Sequence, residues 1–389
     1  MGMISAIGNT LEDNKRALLS STSGIGPPSH IISRQAAQIQ VGEVKRSNEQ
    51  LISQLQLSKD NNFTRTALLG LIAAKEAVKN ASIPEYNHVR TGFISGTSVG
   101  GMDMTERYFK DFTTQSDNQK YISSHHAGDS SQKIADALGI NGFVTTISTA
   151  CSSAANAIML GARLIHAGKL DRVIVGGTDA LSKFTINGFK TLMILSDDPC
   201  TPFDANRKGL NLGEAAAYVV LESETLVTQH NKNVLAYLSG YGNANDAFHQ
   251  TASSDTGDGA FLAMQKALKL SNLAPSQIDY INAHGTATPN NDLSESIAIQ
   301  RLFGDTIPDF SSTKALTGHT LAAAGAIEAV FSVMALKEQC VFPNLNFKTP
   351  MPETGLIPAR SLKAKNIEYV LSNSFGFGGN CSTLIFSKA

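Results

Sequence analysis

Two hydrophobic periods alternate along the chain. Apolar residues recur at helical spacing over 64–80, 151–167, 259–270, 292–303 and 320–337, and short β-rich runs fall at 91–95, 143–147, 172–176, 216–222, 278–283, 367–372 and 383–387. This alternation predicts an α/β architecture. The helix predicted over 151–167 is rich in Ala and Ser and uncharged before Arg163. Small side chains let a helix pack closely on every side, so this one is expected at the centre of the molecule.

Two pairs of short segments echo each other across the chain. Thr91-Gly-Phe-Ile-Ser-Gly-Thr resembles Asp279-Tyr-Ile-Asn-Ala-His-Gly-Thr, and Ala216-Ala-Tyr-Val-Val-Leu-Glu resembles Cys381-Ser-Thr-Leu-Ile-Phe-Ser. They predict two similar halves, each ending on a buried strand and joined in the polar stretch 223–234, which gives halves of 1–228 and 229–389. Residues 112–131, rich in Ser, Asp, Gln and His, and 343–366, with four prolines, read as long loops.

Composition narrows the function classes. With 389 residues and 42% hydrophobic content the chain buries a substantial core. Lys and Arg total 32 against 33 Asp and Glu, so there is no overall field to attract nucleic acid or an anionic membrane. The start, Met1-Gly-Met-Ile-Ser-Ala-Ile-Gly, has no signal-peptide pattern, and no run approaches the roughly 18 apolar residues of a membrane span. A soluble, cytoplasmic protein is expected. Its four cysteines, Cys151, Cys200, Cys340 and Cys381, are scattered without a CxxC pair and read as reduced thiols.

Candidate chemistry concentrates where β-rich runs end. Cys151, in Ser148-Thr-Ala-Cys-Ser-Ser-Ala, lies where such a run passes into the small-residue helix, and a helix N-terminus favours thiolate. A buried, inert cysteine is the competing reading of this local context. His284 follows the run at 278–283, with Gly285 allowing a sharp turn. His319, in Lys314-Ala-Leu-Thr-Gly-His-Thr, precedes an Ala-rich helix, and Lys314 lies five residues before it, so a lysine and an imidazole can converge on one pocket. Asn373-Ser-Phe-Gly-Phe-Gly-Gly-Asn has three glycines whose backbone can approach a ligand closely and present N–H donors. It leads into a β-rich segment and not a helix, unlike the phosphate-cradling loops. His125-His126 with Asp129 lie in a polar segment without zinc-motif spacing, so no metal requirement is expected.

Taken together, Thr149-Ala-Cys-Ser-Ser, Pro202-Phe-Asp-Ala-Asn-Arg-Lys-Gly, Asn282-Ala-His-Gly-Thr-Ala-Thr-Pro, Lys314-Ala-Leu-Thr-Gly-His-Thr-Leu-Ala-Ala-Ala-Gly and Asn373-Ser-Phe-Gly-Phe-Gly-Gly resemble, in order and over nearly the whole chain, the elongating β-ketoacyl synthases of the thiolase superfamily. The resemblance implies a thiolase-like fold, two similar α/β halves in a five-layer αβαβα core, usually dimeric. It implies that Cys151 accepts an acyl group from the phosphopantetheine arm of acyl carrier protein, and that no cofactor is bound. His284 and His319 would donate hydrogen bonds to the enolate formed when malonyl-carrier protein decarboxylates. The backbone N–H groups of Cys151 and Phe377 would hold the second oxyanion. Lys314, with Glu295 and Glu328 as partners, would order the histidines. Phe377, in a loop with Phe375, Gly376 and Gly378, would gate the acyl pocket, and Asp204 and Arg207 would belong to a second mobile loop that moves with it.

Three departures stand out. The family usually has a β-strand before Gly2-Met-Ile-Ser, and this chain starts almost at that stretch, so either an edge strand is absent or the start codon is assigned too late. Asn380-Cys-Ser replaces a usual Thr-Asn after Gly379, and Ala215 and Ala217 stand where glycines are common. Competing readings are a non-catalytic chain-length-determining subunit of a synthase heterodimer, a thiolase or initiating synthase acting on coenzyme A thioesters, and a cysteine hydrolase. The retained Cys151 argues against the first, and His319 in Gly-His-Thr favours the two-histidine elongating class over the second. No hydrolase arrangement is visible for the third.

Overall fold

The structure is a computed structural model that describes residues 1–31, 38–83 and 89–389. Its first sheet is built from β1 (Gly2–Ile4), β2 (Thr91–Gly96), β3 (Val144–Ile147), β4 (Arg172–Asp179) and β5 (Ala215–Glu222), in the order β1-β5-β4-β2-β3. The second is built from β6 (Tyr237–Asn245), β7 (Tyr280–Asn282), β8 (Asp309–Ser311) and, after a small pair β9 (Cys340–Val341) and β10 (Lys363–Ala364), β11 (Tyr369–Gly376) and β12 (Asn380–Ser387). Its order is β6-β12-β11-β7-β8.

The two sheets repeat each other in direction as well as order. β2 runs parallel to β3 and β4, β4 antiparallel to β5, and β5 antiparallel to β1. Likewise β7 runs parallel to β8 and β11, β11 antiparallel to β12, and β12 antiparallel to β6. Both sequence echoes therefore fall on equivalent strands, β2 with β7 and β5 with β12.

Helices Arg65–Asn80 and Gly128–Leu138 cover the outer face of the first sheet, and Asp258–Ser271 and Pro289–Phe303 that of the second. Ser153–His166 and Ala324–Glu338 lie between the sheets and complete the five layers. Residues 324–336 are buried on every side, as the near-absence of charge in that helix requires. A Cβ on Gly325 would come within 2.7 Å of the Ala155 nitrogen, so the two central helices cross at backbone distance.

The sequence reading missed three of the four edge strands, β1, β6 and the short β8. The Gly2–Ile4 stretch itself forms an edge strand, paired antiparallel with β5 from Gly2 opposite Tyr218 to Ile4 opposite Ala216. β6 escaped notice because Gly240 and Gly242 weaken its β signal. They are needed because Cβ atoms there would lie 2.5 and 2.1 Å from carbonyl oxygens of Asp258–Ser271. The 112–131 stretch is also less irregular than expected: it holds short 3-10 turns at Ser116–Tyr121 and Ser123–His125, and Gly128–Leu138 starts within it. Among the described residues no helix is long and apolar enough to cross a membrane.

Candidate active site

The nucleophile turn follows β3 directly. Ala150 adopts φ 53, a left-handed conformation that is rare for a residue with a side chain, and Cys151 follows it, two residues before the helix Ser153–His166. The end of β11 presses against this turn. A Cβ on Gly376 would lie 2.7 Å from the Thr149 carbonyl oxygen and 3.2 Å from the Cys151 nitrogen, so only glycine permits the approach. The approach turns the Phe377 N–H toward the Cys151 sulfur, alongside the N–H of Cys151 itself.

The thiolate expected of a helix N-terminus is not the resting state. Burial pushes the Cys151 thiol up to about 11, although Lys314 and the two N–H groups pull the other way.

His284 sits just beyond β7, on a turn that Gly285 makes at φ +38. Glu295 clamps this turn, its carboxylate accepting the backbone N–H groups of His284 at 2.9 Å and Gly285 at 2.8 Å and the Asn373 amide at 3.1 Å. The buried Lys314 ammonium forms an ion pair with Glu328 and lies 3.3 Å from His284 Nδ1. Ser374 donates to the other Glu328 oxygen at 3.4 Å. Lys314 thus has Glu328 as its carboxylate partner, whereas Glu295 acts on the histidine backbone and not in the ion pair.

His319 is held across the two halves, its N–H donating to the Asn211 carbonyl at 2.7 Å and its own carbonyl accepting from Gly213 at 2.8 Å. Nε2 lies 3.1 Å from Cys151 Sγ. The two imidazole rings stand edge to face, with centroids 5.4 Å apart, and Phe375 packs against His284 at 5.6 Å. Burial first, then the Lys314 charge, holds both imidazoles well below the ordinary histidine range, so both are neutral.

The hydrogen bonds assign the tautomers. His319 Nδ1 accepts the Leu321 N–H at 3.3 Å, and His284 Nδ1 faces an ammonium that can only donate. Each neutral ring therefore carries its proton on Nε2, and that of His319 points at the sulfur. The site places two N–H donors on imidazoles and two on the backbone around one thiol. This arrangement suits stabilisation of oxyanions beside a sulfur nucleophile.

The remaining predicted residues are placed as follows. Phe377 is half-buried and its ring stacks on Phe189. Gly378, at φ +80, donates its N–H to the Gln250 carbonyl at 2.8 Å, and Asn245 donates to its carbonyl at 3.0 Å. Asp204 is buried, and its carboxylate accepts the N–H groups of Lys348 at 2.6 Å, Thr349 at 2.8 Å and Asn206 at 2.8 Å. Those bonds outweigh burial and lower its pKa. Arg207 donates to the carbonyls of Thr288 at 3.3 Å and Pro289 at 2.6 Å. The pair anchors the segments beyond His284 and near 348, while the segment bonded to the Phe377 loop is 245–250. Asp129 pairs with Lys133 at 2.6 Å, and His126 accepts the Gly128 N–H.

Sequence reasoning overlooked several contributors. Asp179, buried at the end of β4, accepts from Thr97 and Ser98 side chains, both at 2.6 Å, and from the Ala322 N–H at 2.9 Å, fixing the chain just past His319. Asn380 accepts from Ser152 at 2.7 Å and from Asn156 and Asn243 at 2.9 Å, joining the nucleophile helix to β12. Asn373 stood in a quoted motif without a role. For Asp179 and Asn243 no local sequence signal exists.

Comparison with known proteins agrees with this geometry. The beta-ketoacyl synthase N-terminal domain model matches residues 1–226 and the C-terminal domain model 235–348. The chain is 34% identical over 403 aligned positions to the 3-oxoacyl-[acyl-carrier-protein] synthase 2 of Staphylococcus aureus strain COL, covering all of this chain and 97% of that protein. It is 33% identical to the protein of the same name from Vibrio cholerae, with the same coverage. Among solved structures, a chain of the ishigamide ketosynthase/chain length factor matches with TM-score 0.91 and 28% identity, covering all of this chain and 97% of that one. A chain of the ketosynthase ApeO in complex with its chain length factor ApeC from Xenorhabdus doucetiae matches with TM-score 0.86 and 32% identity, covering all of this chain and 96% of that one. With this fold and these motifs the chain belongs to the β-ketoacyl synthase family of condensing enzymes.

Proposed function

We propose that this chain is an elongating, decarboxylating synthase that extends an acyl chain of a fatty-acid, polyene or polyketide pathway by two carbons, with both substrates delivered on the phosphopantetheine arm of acyl carrier protein. The observation that carries the reading is the Cys151–His319 contact at 3.1 Å beside a second neutral imidazole whose Nδ1 is occupied by Lys314.

In the first step the Cys151 sulfur attacks the acyl thioester. The acyl–sulfur bond to the carrier arm breaks, and the thiol proton ends on the departing arm. The oxyanion formed on the way is held by the N–H groups of Cys151 and Phe377. Malonyl-carrier protein then enters and its carbon–carboxylate bond breaks, releasing CO2 and leaving the electron pair as an enolate. The Nε2–H groups of His284 and His319 meet that oxygen only as charge develops, which is where a donor accelerates the reaction. The enolate carbon attacks the Cys151 thioester and expels the thiolate. Because the site holds the thiol at about 11, the expelled thiolate takes up a proton and the resting state returns.

Lys314 positions His284 and keeps both imidazoles neutral; Glu295 and Glu328 support it. Phe377 gates the pocket with Phe375, Gly376 and Gly378, while the bonding of Asp204 and Arg207 supports an anchoring part in this conformation. No bound cofactor or metal enters any step. We assign the halves to 1–228 and 229–389 and the protein to the cytoplasm, a reading supported by four free thiols. A dimer is also assigned, with a second copy or a related ketosynthase-like subunit. β3 supports it, as a partly exposed edge strand that runs straight into the nucleophile turn. The presence of Cys151 and both histidines favours the catalytic over the chain-length-determining role.

The test is intact-protein mass spectrometry with a panel of acyl-carrier proteins, then malonyl-carrier protein. An adduct that is absent in Cys151→Ala and discharges to a product two carbons longer supports the reading. Absence of any adduct, with or without a partner subunit, overturns it in favour of an interaction subunit.

A further inference from the structure

The gate reading leaves open what keeps Phe377 in place, and the elements around its loop supply an answer. The loop is held by hydrogen bonds along its backbone and behind it, and by ring packing at its front. Behind, Asn380 is pinned by three side-chain donors from Ser152, Asn156 and Asn243 at 2.7 to 2.9 Å. In between, Gly378 and Gly379 adopt φ +80 and +78 and are bonded to Asn245, Asp246 and Gln250, while a Cβ on Gly378 would meet nothing within 4 Å, so there is space on the other side of the loop. In front, the Phe377 ring stacks on Phe189, centroids 5.7 Å apart and planes 24° from parallel.

Phe189 is a firm support. It lies on the helix Lys183–Thr191, whose N-terminus carries a capping box at Ser182 and whose first two N–H groups, of Lys183 and Phe184, are accepted by Glu106, both at 2.9 Å. One member of the stack is therefore fixed by its helix, and the other sits on a glycine turn bonded to the 245–250 segment.

We propose that Phe189 is a positioning residue whose ring latches Phe377 in the conformation that aims the Phe377 N–H at Cys151. The proposal rests on the synthase reading above and adds to it the part that Phe189 plays in holding the gate closed. Swinging the Phe377 loop away admits an acyl chain but removes one of the two backbone donors. Returning it restores the donor and excludes water. A stacked aromatic pair shifts such a balance by about two- to tenfold. Loss of the stack must then act in opposite directions on the two half-reactions, helping entry and hindering condensation, whereas a general structural defect would lower both.

The variants are Phe189→Leu, which keeps apolar bulk without the stack, and Phe189→Tyr, which keeps the ring. Rapid-quench intact mass measurements give three rates: acylation of Cys151, condensation with malonyl-carrier protein, and loss of the acyl group to water. For Phe189→Leu, acylation is expected to be equal or faster, condensation slower by about two- to tenfold, and hydrolysis faster by a similar factor. Phe189→Tyr should match the parent. Alkylation of Cys151 by iodoacetamide reads the same balance without any carrier, and should rise about two- to tenfold in Phe189→Leu only. The latch is overturned if acylation and condensation fall by the same factor, if Phe189→Leu alkylates and turns over like the parent, or if Phe189→Tyr is as impaired as Phe189→Leu. A raised alkylation rate in a chain that accepts no acyl group from any donor would support the latch while overturning the synthase reading.

Discussion

The two halves of this protein have the same strand order and direction and quite different strand ends. In the first half, β2 ends in Thr97 and Ser98, which donate to Asp179 at the end of β4, and β3 ends in the nucleophile turn. In the second, the equivalent ends carry His284 after β7, the Lys314–His319 corner after β8, and the Phe375–Phe377 segment completing β11. One half thus carries the cysteine. The other carries both imidazoles, their lysine and the Phe375–Phe377 segment. Duplication provides a rigid frame with strand ends facing a common space, and the residues grafted at those ends decide the chemistry.

This division can be broken from either side. Cys151→Ala should have the largest effect: no acyl adduct by intact mass and no condensation product, with a far-UV spectrum like the parent, because alanine is smaller than cysteine and fits the same turn. Lys314→Met should come next, and in stability. It leaves Glu328 buried without its cation, which typically costs about 3–5 kcal/mol in urea unfolding. Adding Glu328→Gln should recover much of that, and a double mutant no more stable than the single would show that the ion pair is not the origin.

His284→Ala and His319→Ala sharpen the comparison. Each should lower condensation by about a hundred- to a thousandfold, as expected for loss of one oxyanion donor, while Cys151 still accepts acyl groups. Equal loss of acylation and condensation would mean that the imidazoles serve the first half-reaction as well.

The smallest effect is in pH dependence. Both imidazoles are held below the ordinary histidine range when folded, so below about pH 6.5 the unfolded chain binds protons that the folded one does not. Stability should therefore fall as pH drops below about 6.5, with each histidine contributing up to about 1.4 kcal/mol per pH unit until its folded pKa is reached. Urea midpoints at stepwise lower pH, compared with a His284→Asn/His319→Asn double variant, measure this. An unchanged slope in the variant would show that the histidines are not the cause.

Much of the site was legible because its residues lie in short segments that follow β-rich runs. Cys151 and His284 stand at strand ends, and His319 beside Gly318 at the start of a small-residue helix. The partners of those residues were harder to read. Glu328 is 14 positions from Lys314, on the next helix, and its role follows from the motif resemblance alone. Glu295 was expected beside the ammonium but bonds to the backbone of His284 and Gly285 instead. Asn380, flagged only as a departure, proves to be a junction with Ser152, 228 positions away.

The amino-acid sequence by itself determined the alternation of helices and strands, the repeat of two halves and the motifs at the strand ends, because these follow from local periodicity and turn chemistry. Only the tertiary structure decided that Cys151 rests as a thiol, that both histidines present Nε2–H, and that the Phe377 ring has Phe189 to rest on. Protonation and tautomer depend on burial and on hydrogen-bond partners brought together from distant parts of the chain. His319 and Cys151 are 168 positions apart in sequence and 3.1 Å apart in the fold.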